Sequence, residues 1–526
     1  MLNGRPFYRC YLEIPEPFNM GYWALDRHVD EGNGSRVAAY CGGQSYTFQQ
    51  LKELSNRFAN VLRAHGVRRG DAVMLRLETG INTMVAILGT LKAGAVIITT
   101  NPLFREHELE KILGNSEAVL AVTTPALRGP LDAVRSRAPS LRTVIMAEAG
   151  GEEPALERLM ERASTEFSSE PTGANDLAVI VYTSGTTGEP KGVEYGHRWI
   201  IGTGDPIGQV MARLKPSDIC YQPQHWSFNF PLGCGFLYPF LAGAAVVIPE
   251  GRFDAEAAFA TIERHRVTVL SAVPTIYRMM LAVPGAESRH RLDSLRVGLS
   301  AGEPLPANTF TEWQDRLGVT ILDGLGQSES HIFVANRIGM KVKPGSMGKP
   351  LPGYEVAILG DDGKPVPAGE SGDLAFRNDH PGLTLGYHRN PERWAAVNRN
   401  GWYYTQDVAY ADEDGYFWYV SRSDDLIKSR AYLISPKEVE SALLEHPAVL
   451  EAAIVGIPDQ VKGQRIKAFL TLKAGNAGSE DLTNSIKDHL RRVIALYKVP
   501  QDIEYVAELP KTFNGKILRR ELRARG

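Results

Sequence analysis

Apolar positions in the first hundred residues switch between helical and extended spacing. From Thr47 onward, Leu51, Leu54, Phe58, Val61 and Leu62 fall on one helical face. Thr47 and Gln50 have capping-box spacing at its start, and Gly66 supplies a stop. The pattern then predicts a strand over 72–75, a helix over 82–92 and, after Gly94, a strand over 95–98. The same alternation returns at 177–182 and through 267–282. Short apolar strands separated by helices predict a layered α/β architecture with largely parallel sheets. No self-similarity with a period of 20–50 residues is present, which excludes a solenoid or propeller.

Between Asp218 and Glu250 there is no Asp, Glu, Lys or Arg, and the second half of that stretch is long enough to span a bilayer. Pro231 and Pro239 interrupt it, and Gln222, Gln224, His225, Ser227 and Asn229 precede it. A buried helix followed by a core strand is the expected structure. From 342 to 420 Gly and Pro become frequent and the strands short, which predicts a β-rich subdomain; Asp362-Gly363 between two apolar runs is a hairpin signal. A charged connector at 421–425 follows. Ser435, Pro436 and Glu438 then mark a new helix start, 449–457 reads as a strand and 482–494 as an amphipathic helix. The expected division is a large N-terminal domain over 1–422 and a small α+β C-terminal domain over 423–526.

The length of 526 residues exceeds what one core sustains, which agrees with more than one domain. Hydrophobic residues at 43% and charged residues at 23% exclude a disordered or fibrous chain. Lys and Arg (58) nearly balance Asp and Glu (61), leaving −3, so no global field points to nucleic acid or anionic lipid. Cys10, Cys41, Cys220 and Cys234 are too few and scattered for a disulfide framework or zinc cluster. The stretch 1–19 carries Arg5, Arg9, Glu13 and Glu16 without an apolar run, unlike a secretory leader. The expectation is a cytoplasmic monomer or homodimer with no membrane or nucleic-acid partner.

The segment Tyr-Thr-Ser-Gly-Thr-Thr-Gly-Glu-Pro-Lys-Gly-Val, residues 182–193, carries the clearest chemistry. A buried strand runs into a loop whose glycines let backbone N–H groups turn toward an anion. Ser184, Thr186 and Thr187 add hydroxyl donors, and Lys191 adds charge. It is phosphate-binding chemistry without the Walker spacing, since Lys191 follows Pro190. A plain surface loop is the alternative, and so long a patterned stretch argues against it.

At these residues the chain closely resembles the adenylate-forming superfamily of acyl-CoA synthetases, luciferases and peptide-synthetase adenylation domains. The further motifs follow in order along essentially the whole chain: Gly302-Glu303-Pro304, Asp323-Gly324-Leu325-Gly326-Gln327-Ser328-Glu329, Asp407, Arg422 within a Ser-Arg-Ser-Asp-Asp segment, and Lys516. The resemblance implies a site for ATP and AMP built from Thr183, Ser184, Gly185, Thr186, Thr187, Gly188 and Lys191. Ala301, Gly302, Glu303 and Pro304 would lie on the adenine side, with Asp323, Gly324, Leu325, Gly326, Gln327 and Ser328 beside them. Asp407, Tyr419 and Arg422 would surround the ribose. It further implies Glu329 and Thr186 as magnesium ligands, Lys516 as the catalytic lysine and Asp424 as the hinge. The roles make chemical sense: carboxylate and α-phosphate are both anions, so their approach needs a cation such as Lys516, and magnesium suits the leaving pyrophosphate. Seen alone, Lys516 beside Arg519, Arg520 and Arg523 would be a solvated basic run, and Asp407 a turn residue.

Within the superfamily the chain looks most like benzoate-CoA ligases and their aryl relatives, including 2-aminobenzoate-CoA ligases. That likeness implies an acid pocket around His225, Phe228, Asn229, Phe230, Ala301, Gly326 and His331, and a coenzyme A passage at Lys428, Ser429, Arg430, Ala431 and Tyr432. The two Phe residues also fit simple core packing. A polar Asn229 in an apolar slot needs a partner, so a substituted benzoate is expected, 2-aminobenzoate first and benzoate second. Two positions depart from the pattern. The stretch from Glu329 to His331 is one residue short, and Ala431 stands where acyl-CoA synthetases carry Gly, a change that resists positive φ by about 1 kcal/mol. Ala431 leaves open a carrier protein as thiol acceptor, and a medium-chain acid remains a second alternative. A luciferase-like oxygenase shares the first half-reaction, whereas a non-catalytic nucleotide-binding protein would lack Lys516 or Glu329.

Overall fold

The computed structural model describes residues 14–148, 155–184, 190–422, 425–429, 432–459, 463–511 and 517–525. The first helix, Phe48–Ala64, starts on a complete capping box: the Thr47 hydroxyl accepts the Gln50 N–H at 3.2 Å and the Gln50 side chain accepts the Thr47 N–H at 2.8 Å. Leu51, Phe58, Val61 and Leu62 are buried, and the chain leaves through Gly66 at φ +75°. The next helix, Ile81–Lys92, is buried on nearly every side and packs against the first.

Among the described residues the strands form four sheets. One runs, in order, through Gly386–Tyr387, Pro190–Gly196, Leu177–Ser184, Val96–Thr99, Ala72–Arg76, Leu120–Thr123 and Thr143–Met146. It is parallel from Leu177–Ser184 onward, and all of its central strands are apolar because helices cover both faces. The strand expected over 177–182 reaches Ser184 because it pairs antiparallel with Pro190–Gly196, Thr183 opposite Lys191. A second, larger sheet holds Ile219–Tyr221, Ala245–Val247, Val269–Ala272, Val297–Ser300 and Ile321–Gln327 in parallel, with antiparallel strands at both edges.

The apolar stretch between Asp218 and Glu250 is a strand, a buried helical path from Asn229 to Leu241, and the core strand Ala245–Val247. Over Gly233–Leu237 the path widens to π geometry just before Pro239, whose missing N–H removes one α-helical bond. No helix among the described residues is long and apolar enough to cross a membrane.

The β-rich subdomain is an antiparallel sheet of Val356–Leu359, Ser371–Arg377, Trp402–Ala411, Asn398–Arg399 and Phe417–Arg422. Asp362-Gly363 does turn the chain, with Gly360 donating to the Lys364 carbonyl at 2.9 Å, but the sheet partner of Val356–Leu359 is the later strand Ser371–Arg377. The small C-terminal domain has its own apolar cores, one around Ile434, Val439, Ile454, Ile466 and Leu490 and one around Val455, Phe469, Leu509 and Leu522. Ser435 caps its first helix, Pro436–Leu444, by accepting the Glu438 N–H at 3.3 Å. The same hydroxyl donates to the Val420 carbonyl of the large domain. The expected boundary at 422 and 423 falls beside residues 423 and 424, which lie outside the described residues.

Candidate active site

Glu329 sits at the tip of a tight connection between the strands Ile321–Gln327 and His331–Ala335, with Gln327 paired opposite His331. Every carbonyl in that tip is tied down. Tyr195 donates to Ser328 at 2.6 Å, Thr384 N–H to Glu329 at 2.8 Å and Tyr354 to Ser330 at 3.1 Å. The carboxylate therefore projects from a fixed backbone to meet Lys191 at 2.6 Å and the Tyr387 hydroxyl at 2.7 Å. Burial pushes the Glu329 carboxyl up, but the Lys191 charge and the hydrogen bonds outweigh it and hold the group below its usual range. The base of the phosphate-type loop and Glu329 are thus brought together.

Two glycines of the nucleotide-type segment answer to this hairpin. A Cβ on Gly326 would lie 2.3 Å from the His331 carbonyl oxygen, and one on Gly324 would lie 2.7 Å from Ile332. His331 itself takes φ +55°, which the short connection demands. Its ring is 2% exposed, surrounded by Trp199, Tyr238 and Phe230 at centroid separations of 5.9, 5.0 and 6.2 Å. Nδ1 accepts the Ile332 N–H at 2.9 Å, so Nε2 carries the proton and donates to the Asn229 carbonyl at 3.2 Å. Both ring nitrogens of His331 therefore have backbone partners, and its ring joins the aromatic group beside Asn229.

The His225 ring lies 2.9 Å from the Leu77 carbonyl and accepts the Ser227 N–H at 3.1 Å. Burial lowers His225 to about 4 and His331 to about 3. Asn229 also finds its partner inside the protein, donating to the Gln327 carbonyl at 3.0 Å. Phe230 is buried in the aromatic group, while Phe228 is half-buried at the start of the short helix Asn229–Leu232.

Gln327, Asp407 and Arg422 come together on the other side. Gln327 Nε2 donates to Asp407 Oδ2 at 2.6 Å, Arg422 donates to Oδ1 at 3.3 Å, and Tyr403 donates to Gln327 Oε1 at 3.0 Å. Tyr419 lies half-buried on the neighbouring strand, Phe417–Arg422. Asp323 lies within the strand Ile321–Gln327, opposite Ser300, the residue before Ala301 and Gly302, with Oδ2 accepting the Leu305 N–H at 3.3 Å. Burial pushes its carboxyl up to about 7. Glu303 accepts from Thr275 at 3.2 Å, and burial raises it against the pull of Arg278 and Lys437.

Gly185, Thr186, Thr187, Gly188, Asp424, Arg430, Ala431 and Lys516 lie outside the described residues, as do the side chains of Ser184, Lys428 and Tyr432. Ser429 is buried in the strand Ile427–Ser429. The flanks of Lys516 are described. Lys511 bridges to Ile517, Leu518 N–H donates to the Pro510 carbonyl at 2.8 Å, and Lys511 pairs with Glu451 at 2.6 Å. Arg519 pairs with Glu440 at 2.6 Å and Arg523 with Asp425 at 2.5 Å, tying the last helix to the connector between the domains.

Residues 25–388 match the AMP-binding enzyme family, and residues 438–516 match the AMP-binding enzyme C-terminal domain. The chain belongs to the AMP-binding enzyme family. It is 36% identical over 516 residues to a benzoate–CoA ligase of Thauera aromatica, covering 98% of this chain and 97% of that one. It is 34% identical to a mitochondrial acyl-coenzyme A synthetase of Mus musculus, covering 97% and 91%. A solved anthranilate CoA ligase in complex with anthranoyl-AMP shares its fold with a TM-score of 0.91 at 33% identity, over 97% of this chain and 98% of that one. This AMP-binding enzyme is an AMP-forming acid–CoA ligase with a large N-terminal and a smaller C-terminal domain. Its sequence did not single out Tyr387, Tyr195, Trp199 or Tyr238 around Glu329 and His331. Each sits in an ordinary apolar or turn context, and only the packing reveals its place.

Proposed function

We propose that this acid–CoA ligase acts on aryl acids, with benzoate and 2-aminobenzoate as its substrates. The observation that carries this is the full-length likeness to a benzoate–CoA ligase, joined by the likeness to an anthranilate CoA ligase. Phe230, Trp199, Tyr238 and His331 form an aromatic group beside Asn229, next to the hairpin that carries Glu329.

In the first half-reaction a carboxylate oxygen bonds to the α-phosphorus of ATP and the bond to the β-phosphate oxygen breaks, releasing pyrophosphate. Lys516 neutralises the two anions as they meet. Lys191 and the hydroxyl loop from Thr183 to Thr187 hold the phosphates, while Asp407 and Arg422 hold the ribose. Gln327 fixes Asp407 from the same strand that leads to Glu329. The body over 423–526 then turns about Asp424, withdrawing Lys516 and bringing residues 428–432 to the acyl adenylate. The coenzyme A sulfur bonds to the acyl carbon, the bond to the AMP oxygen breaks, and the thiol proton leaves to solvent.

Magnesium fits the residues present. Glu329 is an ionised oxygen donor already paired with a cation, and Thr186, which lies outside the described residues, would add a hydroxyl. Among the described residues no group of three or more His, Cys, Asp or Glu side chains stands ready to hold a metal alone. An ion held by Glu329 and Thr186 would stabilise charge on the leaving pyrophosphate.

A medium-chain acid is the second reading, favoured by the likeness to the mitochondrial acyl-coenzyme A synthetase. Mass spectrometry of products from enzyme, MgATP and benzoate, 2-aminobenzoate, 4-hydroxybenzoate or octanoate, with and without coenzyme A, separates the readings. Aryl-CoA is the expected product. Octanoyl-CoA alone would overturn the aryl proposal, and aryl-AMP persisting with coenzyme A present would move the acceptor to a carrier protein.

A further inference from the structure

Glu329 is held by donors of two different kinds. Lys191 brings a full charge on a flexible stem from the strand that leads out of the phosphate-type loop. Tyr387 brings a neutral hydroxyl on a ring with little freedom. Its backbone pairs with Val193, its neighbours Leu385 and His388 donate to Glu194 and Gly192 at 2.8 Å, and its ring stands edge-on to Trp394 at 5.4 Å. Thr384, three residues earlier, holds the Glu329 carbonyl at 2.8 Å. Segment 384–387 therefore fixes both the backbone and the carboxylate of Glu329.

Both donors converge on one oxygen, Oε1, at 2.6 and 2.7 Å, and Lys191 also donates to the Tyr387 oxygen at 3.2 Å. The ammonium lies 4.6 Å from the Tyr387 ring centre. A triphosphate beside the loop offers Lys191 a denser negative charge than one carboxylate does. When Lys191 turns toward it, a carboxylate only 4% exposed would lose its charged donor inside a poorly solvated pocket. The Tyr387 hydroxyl remains. A phenol is a donor at neutral pH, and its 2.7 Å bond to Oε1 does not depend on Lys191.

We infer that Tyr387 is a positioning residue that keeps the Glu329 carboxylate aimed at the metal-bound pyrophosphate while Lys191 moves from Glu329 to the phosphates. This rests on the reading of Glu329 as the magnesium carboxylate, and the outer partners of such ligands typically contribute about tenfold or more to metal affinity.

The test compares wild type, Tyr387→Phe and Glu329→Gln. Phenylalanine keeps the ring against Trp394 and removes only the hydroxyl. Two quantities are read: Mn2+ binding to the enzyme with a non-hydrolysable ATP analogue, by electron paramagnetic resonance, and the Mg2+ dependence of ATP–pyrophosphate exchange. Tyr387→Phe is expected to weaken Mn2+ binding about tenfold and to raise the half-saturating Mg2+ by a similar factor. Binding of the metal-free analogue and the melting temperature should hold. Unchanged Mn2+ binding in Tyr387→Phe, with a clear loss in Glu329→Gln, would overturn the role of Tyr387 alone. Unchanged binding in Glu329→Gln would overturn the reading of Glu329 and the inference with it.

Discussion

The side-chain amide of Asn229 donates to the Gln327 carbonyl at 3.0 Å, and the His331 ring returns the link to the Asn229 carbonyl at 3.2 Å. These bonds join the proposed acid side of the site to the hairpin that carries Glu329. Asn229→Ala should therefore cost about 1 kcal/mol of stability. The ratio of kcat/KM for 2-aminobenzoate over benzoate should stay within about twofold, since one lost hydrogen bond to substrate would move it further. A larger change would return Asn229 to direct contact with the acid.

Gly326→Ala should disable the site through the hairpin. Its Cβ would fall 2.3 Å from the His331 backbone oxygen, in a hairpin whose two strands pair at Gln327 with His331 and at Gly326 with Ile332. The expected cost is about 1–3 kcal/mol, with ATP–pyrophosphate exchange lost before the fold is. Normal exchange with an unchanged melting temperature would show that the hairpin opens freely.

Arg519 is 19% exposed and its partner Glu440 is 3% exposed, so Arg519→Met should leave a buried carboxylate without its cation. Such losses reach about 3 kcal/mol or more. Because Arg519 lies three residues beyond Lys516, adenylation should fall more than thioester formation from supplied acyl-AMP. Equal loss in both steps would reduce Arg519 to a general structural role.

Stability should fall on acidification from neutral pH. His331 is buried and His225 half-buried, and desolvation holds both neutral, at about 3 and about 4, while an unfolded His titrates near 6.5. Both have depressed folded values and are bases, so the unfolded state binds more protons below pH 6.5, and stability drops as pH falls toward 4 and 3. Each contributes about 2 kcal/mol of loss by pH 5. Denaturant titrations of wild type and His225→Gln at pH 7 and 5 would check it. An equal pH slope in both would remove His225 from the account.

Local chemistry made much of the protein legible from its residues. The Thr47 and Ser435 caps, the parallel apolar strands and the glycine, hydroxyl and lysine loop each follow from interactions a few residues apart. So does the order of the motifs that marks an AMP-binding enzyme. What the tertiary structure alone decided was the company each side chain keeps. His225, Asn229 and His331 read as substrate-facing groups, and the fold also gives each a backbone carbonyl partner from a segment about 100 or more residues away. Tyr387, unmarked in sequence, reaches Glu329 across 58 positions. Periodicity reports which face of an element is apolar, but a hydrogen bond spanning that distance depends on how two sheets and their connections pack, and only the folded chain brings those atoms within hydrogen-bond reach.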